Sequence, residues 1–205
     1  MFPTLDLAYP FTGRWLVQNS PADRVPSHGT DQFASAHAID FVPVDDRGRT
    51  APLWLTSMLR AEPPDRFPGF GRPLTAPASG VVAAAHDGEP DHDAFRGLPS
   101  VRYALTQHRR AAQGWTGLGG NHVVIALGSD VFVALCHLRK GSVRVAVGQS
   151  VTVGDEVGKC GNSGNSTEPH VHVQAMDALD LERARAIPIS FQGILPRNRD
   201  VVAVP

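Results

Sequence analysis

The sequence predicts a mainly β protein built from antiparallel sheets, and three observations carry that expectation. Short runs rich in Val and Ile recur along the chain, Gly-containing turns separate them, and Gly 20 with Pro 17 marks a chain with many turns. The 205 residues, 42% hydrophobic and 19% charged, suit one folded unit over residues 1–205 rather than two. Lys+Arg 19 against Asp+Glu 20 leaves a net charge of -1, so there is no electrostatic reason to expect nucleic acid as a partner.

Taken in order, the first predicted strand is Ala38–Val42, an apolar run interrupted by Asp40. Gly80–Ala85 and His122–Leu127 follow, each carrying a Val-Val pair in an apolar run. The turn Gly128-Ser129-Asp130 leads into Asp130–Leu138, after which Val143–Val147, Val151–Val153 and His170–Ala175 complete the set. Strands this short and closely spaced point to a sandwich or a barrel-like sheet. Only Ser100–Gln113 and Ala178–Ala186 have the pattern of short helices. Arg47–Gly71 and Asp87–Gly120 otherwise read as long loops, a length usually associated with function.

The longest purely apolar run, Val131–Cys136, is far below the about 20 residues that a membrane span requires. No basic leader precedes Asp6, so the default compartment is the cytoplasm, and extracytoplasmic only if a leader has been removed. Cys136 and Cys160 cannot form a disulfide framework; a single bridge is open to them, and free thiols are the plainer reading.

The chemistry lies with the histidines. His170 and His172 are two apart in a predicted strand, so they share one face, with Gln174 beyond them. Two imidazoles at that spacing suit two metal ligands, or one ligand beside a proton-transfer group; a solvated polar face is the plain alternative. Asp40 is an acid inside an apolar strand, where a carboxylate requires a partner, and a metal ion is one such partner. His137 ends the apolar run Val131–Cys136, a place where a packing histidine is commoner.

Together these segments resemble the lysostaphin- and LytM-like zinc metalloendopeptidases, metallopeptidase family twenty-three. The resemblance rests on Ser27-His28-Gly29-Thr30 with Ala38-Ile39-Asp40-Phe41, on Cys136-His137-Leu138 after Gly120–Ile125, and on Gly161–Thr167 leading into His170-Val171-His172. It covers about residues 10–176 and leaves a C-terminal extension, 177–205. It implies a duplicated, hybrid-motif-like β sandwich or barrel with long active-site loops. It also implies a bound Zn2+ ion and hydrolysis of peptide bonds, in peptidoglycan cross-links or glycine-rich peptides.

The first ligand has two candidates. His37 is three residues before Asp40, which in a regular strand puts it on the opposite face unless a bulge intervenes. His28 is twelve before, in a loop that can fold back over the strand, and some similar members have such an interval. The resemblance thus implies His28, Asp40 and His172 as zinc ligands, leaving a fourth position for water, with His137 and His170 as catalytic groups whose roles the sequence does not divide. His122 reads as structural or solvent-facing rather than cleft-lining, His86, His92 and His108 as surface positions, and Trp54, Phe70 and Trp115 as a substrate wall or, equally, as loop anchors. Residues 161–167 lack the Lys-Ser/Thr continuation of a phosphate-binding loop.

Two other classes compete: an inactive family member acting as a binding or activator module, and a carrier or phosphotransfer protein of similar β fold. The full His/Asp set argues against the first. The second lacks a modifiable lysine motif at a hairpin tip. The oligomeric state leaves no signature in the sequence.

Overall fold

The computed structural model describes residues 3–52, 55–106, 110, 112–128 and 130–205. Thirteen strands run through it: β1 (Leu5–Leu7), β2 (Gly13–Gln18), β3 (Ile39–Pro43), β4 (Pro73–Thr75), β5 (Gly80–His86), β6 (Asn121–Ala126), β7 (Phe132–Leu138), β8 (Ser150–Val151), β9 (Glu156–Lys159), β10 (Val171–Met176), β11 (Ala186–Ile187), β12 (Ile189–Phe191) and β13 (Val201–Val204). The helical elements are short: α1 (Leu98–Leu105), α2 (Gly114–Gly119) and three 3-10 turns at Gln32–His37, Leu55–Met58 and Pro64–Arg66. None of these helices is long and apolar enough to cross a membrane.

The main sheet is antiparallel, in the order β13-β2-β3-β10-β7-β6-β5-β8, with β11 added to β10. The end strands β13 and β8 do not pair, so the sheet is open rather than closed into a barrel. Two small pairs flank it, β4 with β9 antiparallel and β1 with β12 parallel. The predicted fold class therefore holds.

The central strands β3, β7 and β10 are buried on both faces, which is why they read as continuous apolar runs rather than strict alternations. On one face Trp15, Ile39, Phe41, Leu135, Val171 and Val173 join the main core. Phe11 stacks on Trp15 at 4.2 Å between ring centroids there. On the other face Val124, Ala134, Cys136 and Met176 form a smaller cluster with Ala34 and Leu181.

Several expectations are corrected. Residues 143–147 form no strand, because Asp87 takes the Val143 N–H at 3.1 Å and the Arg144 N–H goes to the Val157 carbonyl at 3.0 Å. The predicted strand 151–153 stops at Val151, since the Asp155 carboxylate accepts the Thr152 N–H at 2.7 Å and starts a turn. Residues 178–186 form no helix: Asp177 accepts the Arg185 N–H at 2.7 Å and pairs with its guanidinium at 2.9 Å, closing a loop that enters β11. In the expected 100–113 helix only α1 is described, starting earlier at Leu98, with Pro99 in the first turn; α2 lies inside the span expected to be loop. Residues 107–109 and 111 lie outside the described residues.

The glycine-rich turn 161–167 is built by close backbone contact. Gly164 has φ +71°, and a β-carbon there would run into the backbone of Gly120 and Leu118. Gly164→Ala is expected to cost about 2–5 kcal/mol from left-handed strain and overpacking. That lowers Tm by about 4–20 °C in a calorimetric melt. An unchanged Tm would show that the turn tolerates the side chain.

Candidate metal centre

Sheet register does most of the assembly. His172 of β10 is the Cα partner of Asp40 on β3 and of Cys136 on β7, so the three lie side by side across the sheet. His172 Nδ1 lies 2.9 Å from Asp40 Oδ1. His28 reaches the same carboxylate from the loop before β3, its Nε2 3.1 Å from Asp40 Oδ2. The candidate ligand atoms of His28, Asp40 and His172 all lie within 4.8 Å of one another. His37 ends the 3-10 turn Gln32–His37 instead and is not one of the three.

The outer partners of the rings decide which nitrogen is bare. His172 Nε2 is 2.9 Å from Gln174 Oε1, and Gln174 donates its amide N–H to the Phe33 carbonyl at 2.9 Å. An amide oxygen only accepts, so the ring donates from Nε2 and turns a bare Nδ1 to Asp40. His28 Nδ1 is 2.9 Å from Ser27 Oγ, whose own proton goes to the Ala38 carbonyl at 2.7 Å. His28 therefore donates from Nδ1 and turns a bare Nε2 to the carboxylate. Two neutral imidazoles presenting lone pairs to a carboxylate repel it unless a cation lies among them. This donor set fits a divalent metal ion held by two nitrogens and one oxygen.

When protons rather than a metal ion occupy the space between these atoms, the same carboxylate is met by charged rings. Burial opposes ionisation of Asp40, but the charges of His28 and His170 and hydrogen bonds from His172 and His28 hold its carboxyl well below the usual range. Burial likewise works against charge on His28, yet Asp40 outweighs it and the pKa rises. Asn19 adds a hydrogen bond to Asp40 Oδ2 at 2.7 Å.

His137 and His170 flank the set. Strand alternation from Cys136 would send His137 to the opposite face. Its φ of 63° and a register shift between β6 and β7 form a bulge that re-aims it. Its ring comes to 4.6 Å from His170 and 5.9 Å from His172, centroid to centroid. His137 donates Nδ1–H to the Ser163 carbonyl at 2.9 Å, leaving Nε2 bare. Burial, reinforced by His170 and His172, pushes its pKa well below the ordinary histidine value. His170 donates Nδ1–H to the Glu168 carbonyl at 2.8 Å, and its Nε2 lies 3.7 Å from Asp40 Oδ1. All five side chains open onto one cleft of ≈ 330 Å³.

The remaining sequence candidates scatter. Trp115 lines the cleft and packs against Phe33 at 6.4 Å. Phe70 instead sits under Arg139 at 5.0 Å, and Trp54 lies outside the described residues. His122 is buried beneath Trp115, its Nδ1 donating to the Gly120 carbonyl at 2.8 Å. His86 is half-buried and pairs with Glu89 at 3.2 Å, while His108 lies outside the described residues. His92 departs from its expected surface position: its Nε2 is 3.0 Å from the Gly164 carbonyl and its ring is 5.3 Å from Tyr103, bracing the glycine-rich turn. Cys136 and Cys160 are free, and burial pushes both thiols far up in pKa. Asn19, Ser27 and Gln174 carried no weight as site residues in the sequence, although Gln174 continues the spacing of His170 and His172.

Residues 103–182 match the model of Peptidase family M23. That segment contains His137, His170 and His172, whereas His28 and Asp40 precede it. The glycyl-glycine endopeptidase ALE-1 of Staphylococcus capitis is 29% identical over 84 residues, which is 41% of this chain and 23% of that relative's length. The catalytic domain of the antimicrobial peptidase lysostaphin from Staphylococcus simulans is 17% identical with a TM-score of 0.42, covering 89% of this chain and 88% of that one. A variant catalytic domain of the prophage-encoded M23 protein EnpA from Enterococcus faecalis is 18% identical with a TM-score of 0.43, covering 75% of each chain. The family model thus matches the part of the resemblance within residues 103–182, which carries the His137 and His170-Val171-His172 blocks.

Proposed function

We propose that this chain, an M23 relative through residues 103–182, is a zinc-dependent endopeptidase that hydrolyses peptide bonds. The observation that carries the proposal is the convergence of the candidate ligand atoms of His28, Asp40 and His172, all within 4.8 Å of one another, at an open cleft. His28 Nε2, the Asp40 carboxylate and His172 Nδ1 would hold the ion. Zinc at such a site supplies Lewis acidity that polarises a carbonyl and makes water acidic near neutral pH. His137, neutral and tied through Nδ1–H to Ser163, offers Nε2 to accept the proton of the attacking water. His170, held through Nδ1 by Glu168, presents Nε2 to the cleft, where its protonated form donates to the developing oxyanion or the departing amine. Glycine-rich peptides and peptidoglycan cross-links are the proposed substrate class, because the 29% identical relative is a glycyl-glycine endopeptidase.

Elemental analysis of the purified protein should give one zinc per chain. A pentaglycine peptide or a peptidoglycan digest should be cleaved, with activity lost to a chelator and restored by zinc. A protein free of zinc that takes none up, or cleavage indifferent to chelation, would refute the proposal.

Gln174 supplies a separate check. Gln174→Leu frees His172 to take the other tautomer, and zinc affinity should fall about 10–100-fold, as for loss of other ligand-orienting groups. Competition with a chromogenic chelator measures this. Wild-type affinity in the variant would show that Gln174 does not orient the ligand.

A further inference from the structure

Among the described residues lining the cleft of the metal centre, Arg24 is the one arginine or lysine. It is solvent-exposed and belongs to the loop between β2 and β3 that also carries His28. Its Nε donates to the Ser27 carbonyl at 3.0 Å. Ser27 is fully buried, with its N–H on the Ala36 carbonyl at 3.0 Å and its Oγ on the Ala38 carbonyl at 2.7 Å. The same Oγ lies 2.9 Å from His28 Nδ1. One well-held residue therefore orients both the guanidinium and the first candidate ligand. The positive charge of Arg24 is felt at the His28 ring, where it opposes protonation.

Only one edge of that guanidinium is used. Among the described residues, neither Nη1 nor Nη2 of Arg24 has an acceptor. The carboxylates around it are engaged elsewhere or out of reach. Asp23, next in the chain, pairs with Arg197 at 3.3 Å and accepts the Asn198 N–H at 2.7 Å. Asp40 is met by Asn19, His28 and His172, and Glu168 Oε2, in a residue of the same cleft, is buried. An arginine held through Nε keeps the two-pronged end of its fork for an incoming group, and that planar pair of donors matches a carboxylate. Holding the side chain in place beforehand also lowers the ordering cost of binding.

We propose that Arg24 is a specificity-determining residue that receives a carboxylate of the peptide substrate beside the metal centre. The carboxylate comes from an acidic side chain near the scissile bond or from the free C-terminus of the peptide, and either presents two oxygens to Nη1 and Nη2. Because this end of the guanidinium is exposed, salt screens the attraction. The inference rests on the cleft being a peptide-binding site, as proposed above.

The test has two arms, both using peptides that contain a Gly-Gly bond. One places Asp or its neutral counterpart Asn at each position flanking that bond in amidated peptides. The other compares free-acid with amidated C-termini set progressively farther beyond the bond. With wild-type protein, kcat/KM for the acidic member should exceed that for the neutral member by about fivefold or more in one arm, which identifies the source of the carboxylate. The preference should shrink as salt rises from about 50 to 500 mM. In Arg24→Gln the ratio should fall to about one, whereas Arg24→Lys, which keeps the charge but not the fork, should retain part of it. Reading a ratio within each variant cancels any loss of zinc caused by breaking the Ser27 contact. Calorimetric titration with analogues in which a ketomethylene group replaces the scissile amide gives a second readout that needs no turnover. An acid preference in binding without any cleavage of the Gly-Gly peptides would sustain the role of Arg24 and refute the hydrolytic function. Cleavage with no acid preference in either arm, or a preference that survives in Arg24→Gln or at high salt, would overturn the role of Arg24 and leave the hydrolytic function standing.

Discussion

His172→Ala is expected to leave the protein folded, without zinc and without hydrolytic activity. The side chain contributes the bare Nδ1 2.9 Å from Asp40 Oδ1, and its removal also strands the Gln174 amide oxygen that orients it. Two donors remain, fewer than the three protein ligands that catalytic zinc sites use. Because Lewis acidity and water activation disappear together, the rate loss should exceed about 10⁴-fold. Asp40→Asn should behave similarly, since it keeps the shape but removes the negative charge on which the two imidazoles converge. His28→Ala should lose metal, whereas His37→Ala should retain it, because His28 Nε2 and not His37 faces the carboxylate. Metal content by elemental analysis and a melt for folding separate these outcomes. Full zinc occupancy in His172→Ala, or metal loss in His37→Ala alone, would move the site elsewhere.

Much of this arrangement was legible because strand geometry is regular. The alternation at residues 170–174 puts His170, His172 and Gln174 on one face, and the acid within the apolar Ala38–Val42 run marks a charge that must be met. The odd spacing of His37 from Asp40 argued against it on the same grounds, and the structure leaves it at the end of a 3-10 turn. Features that depend on long-range backbone detail were not legible. His137 shares the site only because a bulge with φ 63° overrides alternation, and nothing in Cys136-His137-Leu138 announces a left-handed residue. Such a conformation costs on the order of 1–3 kcal/mol and persists only when its surroundings hold it. The Ser163 carbonyl, 26 residues away in sequence, supplies one such hold. The failed segments share another cause. In residues 143–147 and 178–186 carboxylates of Asp87 and Asp177 capture backbone N–H groups, and propensity does not register such competition. The pairing of β2 with β13 and of β1 with β12 joins the two ends of the chain, beyond the range of any local pattern.

His137→Ala and His170→Ala should each keep zinc and lose most turnover, which distinguishes chemistry from metal binding. Neither ring belongs to the three-residue ligand set, yet both lie against it, His137 at 5.9 Å from the His172 ring and His170 Nε2 at 3.7 Å from Asp40 Oδ1. Loss of a general acid–base group costs about 10²–10⁴ in rate, and loss of an oxyanion donor about 10²–10³. The deficit should fall mainly on kcat, because these groups act on charge that develops in the transition state. If the two rings work as a unit, the double variant loses less than the product of the single losses. His137→Ala also removes a strained left-handed histidine, so a melt must accompany the kinetics. A stable, zinc-loaded single variant with near-wild-type turnover would take that residue out of the mechanism.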